Sequence, residues 1–469
     1  MPRSERSGAG DLNRSAGGDT RERSPKRGIR GYCPDSRRTA HPEHSLNSTV
    51  MARFDPFRAL RYAPRDDLDA VIAPPYDVLS PAEVATLRAR DRHNIAHVDV
   101  PDQTTHGYAA SAATLAQWRR DGVLVLDDAP SLTIYRMDFA DAAGRPRQLV
   151  GVLGALEVVD AGAGRVLPHE RTTPKASTDR LDLTRATRAN LSPVWGLSLA
   201  SGLSALLAEP AEAVGQLAVD GVTHRVERLT DPDRIAAICA LVGGDDVLIA
   251  DGHHRYGVAR AYRDEVLADK AASEMARELT GATLAFVGEL TPEQLAIDAI
   301  HRLVRGVSIT ELRELLSRDF VLTPGPSVDD VAPADLLRQL DTEGVLALLT
   351  PDGAVTWLSA RPGAFDGVRA LDGAWLEHTL AGSAASLDYQ HGIPETVAAL
   401  EAQAGTGVAG GASGTGTGTE GAGAAILIRP TSLAEIERTA REGLLMPPKS
   451  TFFTPKLRTG FVVRLLDES

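Results

Sequence analysis

Aromatic residues are scarce in this chain, at 4% of its 469 positions, and cysteine occurs only twice, as Cys33 and Cys239. Two isolated cysteines supply neither a disulfide framework nor the spaced thiols of a zinc site. Cys239 lies in the apolar run Ile235–Val242 and reads as a small core residue. No apolar run reaches the roughly 18 residues of a membrane-spanning helix, and the N-terminus has no apolar stretch of the signal-peptide kind. A soluble, cytoplasmic protein is therefore expected. Positive charge is also short. The formal net charge is −13; the first fifty residues hold 10 Lys/Arg against 6 Asp/Glu, a net of +4 that leaves −17 for the rest. Binding to nucleic acid leans on Lys and Arg neutralising phosphates, so the acidic body argues against a DNA partner. Missing, too, are a Gly-x-Ser-x-Gly elbow, a His-Glu-x-x-His pair and a Walker ending to the glycine-rich stretch. Serine hydrolase, zincin and P-loop chemistries lose their support with them.

Small aliphatic residues fill the gap left by aromatics, and a hydrophobic content of 43% is enough for a large core or several smaller ones. Residues 1–50 are rich in Arg, Ser, Gly and Pro without apolar periodicity and read as a disordered basic tail. Because Met51 opens a different kind of sequence, that tail is either a genuine extension or, the favoured option, an over-extended gene start. Residues 51–403 read as the main folded domain, with a phosphate-binding core around 150–305. Residues 404–424 are nearly all Gly, Thr, Ala and Ser, a flexible linker or loop. Residues 425–469 read as a strand, a helix and a closing strand at Phe461–Leu466, packed on the main domain. Asp69–Leu79 suggests a short strand broken by Pro74 and Pro75, followed by a helix that Ser80, Pro81 and Glu83 open with a capping box. Strands and helices mix without strict alternation, which argues for an α+β (mixed α/β) fold.

The densest chemistry lies at Asp246–Tyr256. The apolar run Val247–Ala250 is a buried strand, Asp251-Gly252 a sharp turn, and a helix begins near His253. Such a turn points the free N–H groups and the positive end of the helix dipole outward, which makes an anion site. Gly252 lets a ligand approach the backbone. Arg255 can pair with phosphate or carboxylate oxygens. His253 or His254 can donate a hydrogen bond or exchange a proton, and Asp251 can act as a base or hold Mg²⁺. Plainer roles stand beside these: a helix cap for Asp251, a core position for one histidine, an ion pair for Arg255. Adjacent histidines on a helix diverge, which disfavours joint metal ligation.

Three further segments carry polar residues between apolar runs. In His169–Asn190, Lys175 and Arg180 can neutralise phosphate charge, while Glu170 and Asp179 can bind Mg²⁺ or an amino group, with His169 on the substrate side; a simply solvated loop is the alternative. Tyr76 and Asp77, past the stiff Pro74-Pro75 turn, form either a substrate-side wall or a structural corner. Lys449, with Ser450 and Thr451, follows Pro447-Pro448 and either joins the phosphate pocket or turns the chain.

The segments Ile72–Ser80, His169–Asn190, Ser192-Pro193, Ala250–Tyr256 and Met446–Thr451 together resemble domain of unknown function family 1015, over nearly the whole length from Met51. The Asp251–Arg255 box also resembles the phosphate-binding box of the ParB/sulfiredoxin fold, in the Asp-Gly-His-x-Arg form of archaeal free serine kinases. That resemblance implies a ParB/sulfiredoxin-like core elaborated by further strands and helices, with Asp251 as candidate base and Gly252, His253, His254 and Arg255 as phosphate ligands. The expected function is phosphotransfer to or from a small hydroxylated metabolite, with serine or phosphoserine foremost, by a kinase or a phosphatase. Asp251, His254 and Lys175 would act in catalysis. A nucleotide, ATP or ADP, is the expected cosubstrate, with Mg²⁺ as an accompanying ion. A nucleotide-binding ParB-like regulator and a non-catalytic metabolite-binding protein remain as alternatives. The oligomeric state, including a homo-oligomer, is left open.

Overall fold

The computed structural model describes residues 52–469 except 103–106, 142–143, 161, 163–164, 170–174, 407–422, 448 and 468–469. The expected basic tail and most of the glycine-rich stretch lie outside the described residues. The fold is α+β. Its larger sheet has nine strands: β1 (Phe54–Asp55), β2 (Leu132–Ala140), β3 (Pro146–Glu157), β4 (Val166–Pro168), β5 (Val194–Ser198), β6 (Glu212–Val219), β7 (Val222–Leu229), β8 (Val247–Asp251) and β9 (Ala282–Glu289). Their order is β4-β8-β5-β9-β3-β2-β7-β6, with β1 pairing on β3. Only β8 with β4 and β9 with β5 run parallel.

Both faces of this sheet are covered, and the side-chain period of two sorts each strand between them. Along β9, Leu284 and Phe286 enter one core with Trp195, Tyr135 and Phe461, while Ala285 and Val287 enter the other with Phe54, Val152 and Tyr256. That is why β8 and β9 read as unbroken apolar runs rather than alternating ones. Two glycines let large rings close against β3. A Cβ on Gly151 would stand 2.3 Å from the Phe286 ring, and one on Gly154 would stand 2.3 Å from the Phe54 ring.

A second, six-stranded sheet contains β10 (Ile300–Arg305), β11 (Phe320–Ser327), β12 (Leu346–Leu349), β13 (Ala354–Ala360), β14 (Ser386–His391) and β15 (Ala424–Leu427). The order β11-β13-β12-β15-β10-β14 is antiparallel throughout. Leu346 and Leu348 face one core, Ala347 and Leu349 the other. Strand β15, late in the chain, fills the centre of this sheet. The chain then forms the helix Leu433–Arg441, and the strand Phe452–Thr454 pairs with Ala296–Asp298.

The capping box at Ser80 is present: Glu83 N donates to Ser80 Oγ at 3.3 Å and Ser80 N to Glu83 Oε2 at 2.7 Å. Two expected strands are corrected. Asp69–Leu79 forms the short helix Leu68–Val71 and a 3-10 turn at Tyr76–Val78. Pro74 and Pro75 carry no N–H for a ladder, and of this segment Ala73 alone bridges, to Thr459. At Phe461–Leu466, only Arg464–Leu465 is a strand, paired with Ala189–Asn190. The run crosses between partners, with Val463 bridging to Leu60, and buries apolar side chains without following one ladder.

Gly151→Ala tests the packing at β3. The added methyl would also meet the Val287 carbonyl at 2.8 Å, so backbone must move. A loss of about 2 kcal/mol is expected in urea unfolding, within the usual range for overpacked cores. A variant as stable as the parent would contradict the described contact.

Candidate functional site

Strand β8 ends at Asp251, and Gly252 takes φ +87° and ψ 27° before the helix His253–Ala268 begins. That left-handed geometry is why glycine stands here. A side chain at this position would also press on Arg255 Nε at 3.0 Å. Tyr256 N makes the first intrahelical bond, to Gly252 O at 2.9 Å. The N–H groups of His253, His254 and Arg255 therefore have no acceptor within the helix. Tyr256 fastens the turn from below: its hydroxyl donates to the Glu157 carbonyl at 3.0 Å and accepts from Val159 N at 2.9 Å.

The Asp251 carboxylate is shared by two cations. Arg255 Nη2 donates to Oδ2 at 2.5 Å and Lys456 Nζ to Oδ1 at 3.2 Å. Burial works to raise the Asp251 pKa, but the Lys456 ammonium and the Arg255 guanidinium outweigh it and hold the carboxyl well below the usual carboxylate range. Arg255 also donates through Nη1 to the Pro193 carbonyl. Its Nη2 stands 3.8 Å from Asp77 Oδ2, which brings the Tyr76–Val78 turn to the site. Lys456 lies 4.3 Å from the centroid of the Phe452 ring.

The paired histidines have different settings. His253 packs edge-on against His169, with ring centroids 4.8 Å apart, and His253 Nε2 accepts from His169 N at 3.4 Å. Nε2 is then the bare nitrogen and Nδ1 carries the proton. His169 is fully buried; its Nδ1 donates to the Ile249 carbonyl at 2.7 Å and its Nε2 accepts from Thr451 Oγ1 at 3.0 Å. Burial lowers the His169 pKa to about 4, against the favourable bond to Ile249. Burial and the neighbouring His169 push His253 well below its ordinary value. Both rings are thus neutral near pH 7. His254 stands half-buried in the first helical turn.

Arg180 forms a second cluster. It donates to the Asp99 carbonyl at 2.7 Å and to Asp99 Oδ1 at 3.3 Å, pairs with Asp179 at 3.0 Å, and lies 3.9 Å over the Tyr76 ring. Ser192 Oγ donates to Asp99 Oδ2 at 3.1 Å. Burial raises the Asp99 pKa against the pull of Arg180, and burial with Asp77 nearby raises Tyr76 to about 12. A cavity of about 50 Å³ separates the clusters, with Tyr76, Arg180, Ser192 and Arg255 in its walls.

The structure thus gathers Asp251, Gly252, His253, His254, Arg255, Tyr76, Asp77 and Arg180 around one turn. His169 reaches that turn only through His253. Lys449 is exposed, and its carbonyl accepts from Arg302 Nη2 at 3.2 Å; it contributes its segment of chain rather than its ammonium. Lys175 begins the helix Lys175–Thr187, but its side chain, like Glu170, lies outside the described residues. Sequence reasoning missed Lys456 and Asp99. Lys456 belongs to no motif and stands in the mixed stretch Thr454-Pro455-Lys456-Leu457-Arg458, which carries no local signal. Both Asp251 oxygens already meet cations, so this donor set does not suit Mg²⁺. Among the described residues no group of three or more His, Cys, Asp or Glu is arranged to hold a metal ion, and no helix is long and apolar enough to cross a membrane.

A family model described as "Protein of unknown function (DUF1015)" matches residues 54–374. The chain belongs to this family. No curated protein matches it in sequence. Among solved structures, free serine kinase in complex with AMP is similar to this DUF1015 chain at 11% identity, covering 67% of it and 88% of the kinase, with a TM-score of 0.34. SbnI from Staphylococcus aureus, with a C-terminal truncation, is 13% identical over 68% of this chain and 90% of its own, TM-score 0.33. A conserved hypothetical protein from Pyrococcus furiosus is 11% identical over 64% and 92%, TM-score 0.34. Scores this low leave the chemistry of the DUF1015 chain to its own residues.

The neutral His169 sets a pH dependence. The unfolded chain takes up a proton near pH 6.5, the folded one near 4, so stability falls as pH drops through that window. His169 alone accounts for up to about 3 kcal/mol of the fall. Urea midpoints between pH 7.5 and 4 should therefore show a shallower slope for His169→Gln than for the parent. Parallel slopes would refute the neutral, buried imidazole.

Proposed function

We propose that this chain transfers a phosphoryl group between a nucleotide and a small hydroxylated metabolite, with serine as the first substrate to test. The observation that carries the proposal is the Asp251 carboxylate held ionised by Arg255 and Lys456 at a helix N-terminus, whose first N–H groups have no acceptor within the helix. A phosphate chain lies along the N–H groups of His253, His254 and Arg255. His253 Nδ1–H and the Arg255 guanidinium add donors. Lys175 and Arg180 come from the neighbouring segment, and Asp77 and Tyr76 form the acceptor side.

The incoming hydroxyl bonds to Asp251. Its oxygen forms the new P–O bond as the bond to the nucleotide's leaving oxygen breaks, and its proton passes to Asp251 and then to solvent. A carboxylate of such low basicity orients the hydroxyl early and takes the proton late. That order suits the loose transition state of phosphoryl transfer. Lys456, drawn to developing negative charge, stabilises the transferring group. Mg²⁺ enters this scheme only as an ion carried by the nucleotide's own phosphates.

One observation favours a second, non-catalytic reading: Asp251 and Arg255 already satisfy each other, as in a sensor whose turn merely binds a metabolite. Ligand-induced stabilisation without turnover would select it.

The test is phosphorus NMR of the protein with ATP, ADP or pyrophosphate and L-serine. Phosphoserine should form, or, in the reverse direction, release phosphate. Asp251→Asn should slow turnover by about 100-fold or more, and Lys456→Met by about tenfold or more. No new phosphoester from any donor, or an unchanged rate in Asp251→Asn, would sink the proposal.

A further inference from the structure

Beside Pro74 lies a cavity of about 220 Å³. Three pieces of chain build it: the segment Asp69–Leu79, the helix Pro81–Arg90 and the hairpin of β6 and β7. Arg458, from the C-terminal segment, completes the wall. Ala73 and Thr459 exchange backbone hydrogen bonds at 3.1 and 2.9 Å, which brings Ile72 and Pro74 next to Arg458. Arg90 Nη1 donates to the Asp69 carbonyl at 3.1 Å and ties the helix to the first segment. The floor is aliphatic: Ile72, Leu87 and Leu217 are buried, and Leu79 and Val219 are partly buried against the same core. For scale, a cavity of roughly 150 Å³ accommodates benzene. A branched aliphatic side chain with a polar head therefore fits, and burying it here is favourable.

The polar part of the wall is a contact ion pair. Asp220 and Gly221 turn the chain between β6 and β7 at φ +53° and +74°, a hairpin turn that Asn-Gly makes as well as Asp-Gly. The turn itself needs no charge at position 220. The Asp220 carboxylate instead meets Arg458, whose Nη2 donates to Oδ2 at 2.5 Å. The Arg458 side chain is 11% exposed, and its backbone N–H donates to Tyr135 Oη at 3.3 Å. Tyr135 is buried and bonds His224 Nδ1 at 2.8 Å. The chain at Arg458 is thus pinned while the guanidinium spends one nitrogen. Arg458 Nε and Nη1 and Asp220 Oδ1 have no hydrogen-bond partner among the described residues.

A carboxylate and a guanidinium in contact, each with capacity left, complement a zwitterion. The ammonium and carboxylate of an α-amino acid sit on one carbon, at the spacing of a contact pair. The ammonium can therefore meet Asp220 while the carboxylate meets the open side of the Arg458 fork. Singly charged ligands fit less well. The lining carries the carboxylates of Asp69, Glu83 and Asp220 against the guanidiniums of Arg90 and Arg458, so an aliphatic acid adds to a negative surplus. An aliphatic amine competes for Asp220 and leaves the largely buried Arg458 short of its counter-ion.

We propose that this cavity binds an α-amino acid with a branched aliphatic side chain. The side chain lies on Ile72, Leu87 and Leu217, the carboxylate on Arg458 and the ammonium on Asp220. This site goes beyond the phosphotransfer reading and does not rest on it. The test uses no nucleotide and alters no residue of the Asp251 turn, so the two can fail separately.

The experiment is calorimetric titration of the full chain with L-leucine and with three partial copies of it. Isocaproate lacks the ammonium, isoamylamine lacks the carboxylate, and glycine lacks the side chain. Leucine should bind saturably, and each partial copy about tenfold or more weakly. Asp220→Asn keeps a residue that tolerates the left-handed turn and removes only an exposed partner of the ion pair. It should therefore leave the melting temperature unchanged while weakening leucine about tenfold or more. No saturable binding of leucine, a partial copy that binds as tightly, or unchanged leucine affinity in Asp220→Asn would each overturn the proposal.

Discussion

One carboxylate ties the ends of this molecule together. Asp251 closes the turn after β8 by pairing with Arg255 four residues on, and it also takes an ammonium from Lys456, 205 residues further along the chain. A carboxylate in that half-buried place would be costly without partners. With two, it stays ionised and gives the turn its shape. Arg255, anchored on Asp251 and the Pro193 carbonyl, then draws in Asp77. The Tyr76–Val78 turn, the helix His253–Ala268 and the C-terminal segment meet at that point and nowhere else in the sequence are they neighbours.

The histidines show how the same turn is braced from the opposite side. His169 spends both ring nitrogens on Ile249 and Thr451 and offers its backbone N–H to His253. This leaves His253 with a defined tautomer, which in a neutral ring decides whether it offers a donor or an acceptor to a ligand. An imidazole with no contact to solvent thereby sets the polarity of one that lines the turn.

Legibility in the sequence followed the range of the interactions. The strand–glycine–helix unit at Val247–Tyr256 was readable because its apolar run, its left-handed glycine and its helix start are all local. The capping box at Ser80 was readable for the same reason. The strand expected at Asp69–Leu79 failed because a run of four apolar residues looks alike in a buried helical turn and a strand, and proline decided against the ladder. Lys456 and Asp99 were out of reach because their roles come from pairings across the fold, with Asp251 and Arg180, that leave no periodic trace. His169 and Arg180 in one segment, and Lys449 in another far along the chain, were read as candidates for one phosphate pocket. Their division of labour was not legible, since burial separates a buried brace from a residue that lines the turn, and composition does not report burial.

The C-terminal route through both sheets has a consequence for how the molecule is made. β15 enters the middle of the second sheet, and only after it does the chain return to supply Thr451, Phe452 and Lys456 to the first. The strands of the nine-stranded sheet are all made by β9, but one of its two cores still lacks Phe453, Phe461 and Val463. During synthesis the strands of that sheet can gather early, while the turn at Asp251 waits for its second counter-ion, Lys456, 205 positions downstream. Contacts of such long sequence separation form late and slowly. A chain that stops early would hold one face of the sheet only partly covered and the turn unfinished, so packing and competence are completed by the same late segment.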